Sequence, residues 1–138
     1  MNLPNKKFIF KTLLVVLLSV TSINAWAESN DKYDTVYDNC LSKAGRINNQ
    51  IVNDCSSVVS NMVKKDMNRI YDIIYKYISE QSKDDAKKFE QSQRAWLKYR
   101  ESHCELMGRY VGTPMYSFCP MGLNRARVSE LSELAGEY

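Results

Sequence analysis

The chain has 138 residues, 19 of them basic and 16 acidic, with four cysteines and one histidine. That length holds one small domain around one core. Lys6, Lys7 and Lys11 account for the formal charge of +3, and beyond them the two signs balance at 16 each, which excludes nucleic-acid binding driven by a basic field.

The first 27 residues read as an export leader. The three lysines form a basic start, Thr12 to Val20 an apolar core, and Ala25-Trp26-Ala27 a small-x-small cleavage site. The apolar run is shorter than the ~20 residues of a spanning helix, and Cys40 comes too late for a lipoprotein signal. Cleavage after Ala27 is expected, delivering residues 28–138 as one soluble helical domain with no stable membrane anchor. In such an exported chain, Cys40, Cys55, Cys104 and Cys119 read as two disulfides. No C-x-x-C occurs and His103 stands alone, so no metal site and no cofactor are expected.

Residues Glu28 to Lys32 are polar and read as a frayed start. From Tyr33, the positions Tyr33, Val36, Tyr37, Cys40 and Leu41 repeat with helical spacing, and Gly45 offers a stop. Asn48 or Asn49 is a cap for a long second helix, about Asn49 to Ser82, free of Gly and Pro. Cys55, Val59, Met62, Ile70, Ile73 and Tyr77 share one side of it, and Met67, Tyr71, Ile74 and Ile78 widen the surface. A helix apolar over that much of its circumference is expected at the centre of a bundle. Asn68 either bonds a neighbouring helix or faces water.

Ser82 or Asp84 caps a third helix, near Asp85 to Tyr110, and Asp85 suits its first turn. At ~100° per residue, Phe89, Gln93, Trp96, Arg100, Cys104 and Met107 fall in one stripe. Lys87, Glu90, Arg94, Lys98, Glu101 and Glu105 form a water-facing flank, with Glu90–Arg94 and Glu105–Arg109 at i,i+4 spacing. A buried Arg100 must find carbonyl or carboxylate partners. It is either an internal clamp near Trp96 or part of a binding surface.

Gly108 to Met121 holds Gly112, Pro114 and Pro120 and reads as an irregular loop. Its Arg109, Tyr110, Met115, Tyr116 and Phe118 make either a flap over the core or an exposed recognition surface. A last helix is expected near Gly122 to Leu134, with Leu123, Val128 (or Ala126), Leu131 and Leu134 inward. If the first two helices fold back around Gly45–Asn48, Cys40 meets Cys55. Cys104 then staples the aromatic loop through Cys119. Catalysis is not expected. His103 and Cys104 diverge by ~100° on a helix and form no nucleophile–base pair. No G-x-S-x-G, H-E-x-x-H or phosphate-binding glycine loop occurs.

The run Gln93-x-x-Trp96-x-x-x-Arg100-x-x-x-Cys104 resembles the signature of the LprI-type lysozyme inhibitor family, in its N-terminal domain. Met67-Asn68-x-x-Tyr71 resembles that family's Leu-Asn-x-x-Tyr, and Cys119 followed by Arg127 and Leu131 its Cys…Arg-x-x-x-Leu ending. Lys64 stands where the family often has Asp, so any role of that acid is absent. The resemblance spans about Cys40 to Leu134. It implies a bacterial periplasmic or secreted protein whose partner is a lysozyme or other peptidoglycan hydrolase. An immunity protein against a rival's toxin, or a non-inhibitory envelope module, is the alternative. The expectation is an all-α, disulfide-stapled bundle of about four helices with one long central helix. Arg109, Tyr110, Thr113, Tyr116 and Phe118 are the candidate partner-binding loop.

Overall fold

The protein is described here from a computed structural model over residues 25–136, with side chains from Lys32 onward. Most of the expected leader, with its three lysines and the Thr12–Val20 core, lies outside the described residues. Among the described residues four helices follow one another: α1 (Ala25–Ala44), α2 (Asn49–Gln81), α3 (Lys83–Tyr110) and α4 (Met115–Ala135). No strand occurs among the described residues. The segment Glu28 to Lys32, expected to fray, is helical and belongs to α1.

The chain reverses where its local chemistry demands. Gly45 has φ +72, a left-handed conformation that glycine adopts without the strain of a Cβ. The Asn48 side chain accepts from the Ile51 amide and opens α2. Ser82 closes α2 and caps α3 through the Asp85 amide. Asp85 also pairs with Lys88 at 3.0 Å. Hydrogen bonding of its carboxyl to Lys88 and to the Ser82 side chain holds it below the usual range.

α2 touches each of the other helices. Tyr33, Val59, Val63, Met67, Ile70, Ile74, Phe89, Met121, Val128 and Leu131 form the core. At ~1.5 Å per residue, α2 and α3 outrun the shorter α1 and α4, so the end near Ser82 is a two-helix hairpin. Ile73 and Tyr77, expected inside, are exposed there, and so is Leu134 at the close of α4.

The polar contacts fix how α4 lies on α2. Asn49 donates to the Thr113 hydroxyl, Ser117 to the Asn53 side-chain oxygen Oδ1, and the Asn124 side-chain amide to the Ser60 hydroxyl. Each pair is separated by 64 residues. The two helices therefore run parallel in one register, with contacts at spacings of four and seven along the same face. In that register Ser56 falls opposite Pro120, which has no donor to offer. Among the described residues, the buried Ser56 hydroxyl is the side-chain group without a partner.

The largest difference from expectation concerns Gly108–Met121. The loop is only Val111–Pro114, and Met115–Met121 is the start of α4, with Pro120 inside the helix. Proline's fixed φ is compatible with a helix, but inside one it removes a backbone bond and its ring crowds the carbonyl four residues earlier. The Cys104–Cys119 bridge and the contacts with α2 hold these residues helical. The pairings Cys40–Cys55 and Cys104–Cys119 are those expected, with Cα separations of 5.6 and 5.5 Å.

α1 is fastened through Asp66 of α2, which accepts from Lys32 Nζ at 2.7 Å and from the Tyr33 hydroxyl. Burial pulls the Asp66 carboxyl upward, but these two hydrogen bonds outweigh it and the pKa is lowered. Burial, reinforced by Asp66, raises that of Tyr33 well above the phenol range. A lowered carboxylate contributes stability above its unfolded pKa and loses it as pH falls. A raised phenol contributes below its unfolded pKa and loses it as pH rises. Urea midpoints should hold steady between about pH 5 and 9, then fall below about pH 4 and above about pH 10. Asp66→Asn should flatten the acid limb, and an unchanged limb would show that the pair contributes nothing.

Candidate functional site

The polar residues of the α3 stripe turn inward and meet α4. Gln93 is buried, and its side-chain oxygen accepts from Arg127 Nε at 3.0 Å. Arg100 Nη1 donates to Asn124 Oδ1 at 2.8 Å. Between these contacts lies the Trp96 ring, with the Arg100 and Arg127 guanidinium carbons 5.5 and 5.6 Å from its centroid. Such cation–π contacts strengthen when the cation is desolvated, and both arginine side chains are only 13% exposed. Each retains one water-facing carboxylate: Glu130 at 2.7 Å from Arg127, and Glu101 at 3.7 Å from Arg100. The two positive charges are thereby compensated without a buried acid. Arg100 is the internal clamp of the two readings.

Asn124 completes this arrangement and was not anticipated. It is fully buried, accepts from Arg100 on α3 and donates to Ser60 on α2. Its position three residues before Arg127, hence on the same helical face, is the signal that would have found it. The remaining motif positions lie on the other flank of α3. Met67 is buried and Tyr71 stacks on Phe89 at 4.9 Å. Burial and Glu90 raise the Tyr71 pKa. Asn68 faces water. With Gln93 and Leu97, these residues line a groove of about 310 Å³.

The residues expected to form one recognition loop are divided between three elements. Arg109 and Tyr110 end α3, Thr113 lies in the turn, and Tyr116 and Phe118 occupy the first turns of α4. Arg109 pairs with Glu105 at 2.6 Å yet stays largely in water. Tyr110 is 77% exposed. Tyr116 lies flat against Gly108: a Cβ there would meet its ring at 2.3 Å. Phe118 meets the edge of Tyr37 on α1 at 5.9 Å. The set is thus partly flap and partly exposed surface, at one end of the bundle.

Beside it, Lys64 lines a groove of about 320 Å³ with Arg100, Glu101, Glu105, Tyr116 and Pro120. No cluster of His, Cys, Asp and Glu suited to a metal occurs among the described residues. His103 stacks on Tyr99 at 5.4 Å.

The family profile described as "Lysozyme inhibitor LprI" matches residues 40–131. The chain belongs to the LprI lysozyme inhibitor family. That match runs from the first cysteine to the last buried leucine of α4, so it covers both bridges and the Gln93–Arg127 and Arg100–Asn124 contacts. The LprI family is one of inhibitors rather than enzymes. The chain is also 29% identical over 108 residues to the uncharacterized protein YecT of Escherichia coli (strain K12), covering 68% of this chain and 67% of that one. No solved structure matches.

The Asn124 contacts make opposite predictions for two serines on one face of α2. Ser60→Ala strands the buried Asn124 donor and should cost about 1–3 kcal/mol. Ser56→Ala removes a hydroxyl that has no partner and should leave the urea midpoint unchanged or higher. Equal losses for both would contradict the assigned hydrogen bond.

Proposed function

We propose that this protein is exported, released by cleavage after Ala27, and acts in a bacterial periplasm or outside the cell as a lysozyme inhibitor. The observation that carries this reading is the exposed end of the α3–α4 hairpin in a chain of the LprI family. Gln93, Trp96, Arg100 and Arg127 are occupied with one another and leave little to contact a partner. Arg109, Tyr110, Thr113 and Tyr116 are outward and held by the Cys104–Cys119 bridge. A stapled surface of this kind loses little conformational freedom when it docks.

Lysozyme-like enzymes cleave with two carboxylates in a cleft. A guanidinium there makes charge-assisted hydrogen bonds with a carboxylate, so Arg109 supplies the cation, exchanging Glu105 for the target's acid. Thr113 and Tyr116 supply hydroxyl donors, and Tyr110 and Phe118 supply apolar anchors. No helix of the described residues is long and apolar enough to cross a membrane.

Alanine at Arg109, Tyr110 or Tyr116 should weaken inhibition of cell-wall lysis by about tenfold each, the loss typical of an interface hot spot. Helix content should remain unchanged by circular dichroism. Gly108→Ala should act like Tyr116→Ala, because the added Cβ displaces the Tyr116 ring. Full potency in all four variants would place the contact surface elsewhere.

A further inference from the structure

Among the described residues, the two longest stretches without aspartate or glutamate are residues 39–53 and residues 106–129. The first spans the end of α1, its turn and the start of α2. The second spans the end of α3, its turn and the start of α4. The antiparallel hairpins bring both to one end of the bundle. Asn49 bonds Thr113 at 3.4 Å, Ser117 bonds Asn53, and Tyr37 meets Phe118 across the seam. Asn49, Gln50, Asn53 and Thr113 line a neutral cleft of about 270 Å³ between the turns.

Near this cleft stand the cations Lys43, Arg46 and Arg109, and the acids closest to it are spoken for: Asp54 accepts from Gln50 at 2.8 Å and Glu105 pairs with Arg109. Lys43 and Arg46 are exposed and make no ion pair among the described residues, and Arg109 has only Glu105. Two helix C-termini and two N-termini meet at this end, so their dipoles largely cancel. The local positive potential therefore comes from side chains, in a chain otherwise balanced in sign. Ile47, Tyr110 and Val111 are apolar, and each is more than half exposed. The Cys40–Cys55 bridge lies below one turn and Cys104–Cys119 below the other.

We infer that the Gly45–Asn48 turn is the second half of the target-binding surface, and that the partner is a protein with a carboxylate-lined concave face. Arg46 and Lys43 face acids at the rim of that concavity, Ile47 packs beside them, and the amide-lined cleft receives a polar segment. This inference rests on the inhibitor reading and extends it to residues outside the α3–α4 hairpin. Charge at a rim acts chiefly on association rate and salt dependence.

The test compares the oxidised protein, expressed with its own leader, with Lys43→Glu/Arg46→Glu, Ile47→Asp and Tyr110→Ala. Calorimetry and lysis inhibition are measured against c-type, g-type and i-type lysozymes at low and moderate salt. The charge-reversed variant should lose about tenfold or more in affinity, chiefly at low salt, and Ile47→Asp should lose a similar amount at both salts. Normal binding by both, with loss only in Tyr110→Ala, overturns this inference and leaves the inhibitor reading standing. No inhibition by the unmodified protein overturns both. Vesicles of anionic lipid serve as a control, and a charge-dependent affinity for them equal to that for lysozyme would make a membrane the occupant and overturn the protein partner.

Discussion

Asn124 holds one amide in a place where three helices meet. Its oxygen takes a guanidinium proton from α3 and its nitrogen gives one to a serine of α2, while its own backbone belongs to α4. A buried arginine is tolerable only where its donors find acceptors. The position of Arg100 thus dictates where α4 must lie. Three α3–α4 contacts descend the antiparallel pair in order: Cys104 to Cys119, Arg100 to Asn124, Gln93 to Arg127. With α4 so placed, the parallel register on α2 follows, and Met121, Val128 and Leu131 enter the core.

Much of this was legible in the residues because the physics involved is local. The glycine stop, the Asn48 and Ser82 caps, the i,i+4 ion pairs and the face of α3 each depend on neighbours within a turn or two. The bridges were legible because two short reversals bring their cysteines together. The failures have non-local causes. Pro114 and Pro120 signal a broken segment, yet contacts with α2 and the Cys104–Cys119 bridge outweigh the missing backbone bond and ring crowding that Pro120 brings. Ile73 and Tyr77 have core spacing, but at their height the covered side of α2 is that of Ile70, Ile74 and Ile78, ~100° round the helix. Asp66 and Asn124 look like ordinary surface polar residues until their partners, 33 and 24 residues away, are in place.

The same division separates what the family resemblance describes from what selects a target. Gln93, Trp96, Arg100 and Arg127 spend their hydrogen bonds and faces on each other, so a chain matching those positions inherits the bundle. Arg109, Tyr110 and Thr113, by contrast, are exposed at the end of the bundle and outside that inner network. A chain whose signs balance beyond its first 11 residues can still present a field, provided its acids are kept away from one end.

The helical order also decides how the protein can be mounted. α1 runs toward the two turns and α4 runs away from them, so the start of the first and the close of the last both lie on the side remote from the turns. A carrier, resin or surface joined at either place stands behind the bundle and leaves the turns facing outward. Attachment at either place is thereby geometrically independent of whatever the turns present to solvent.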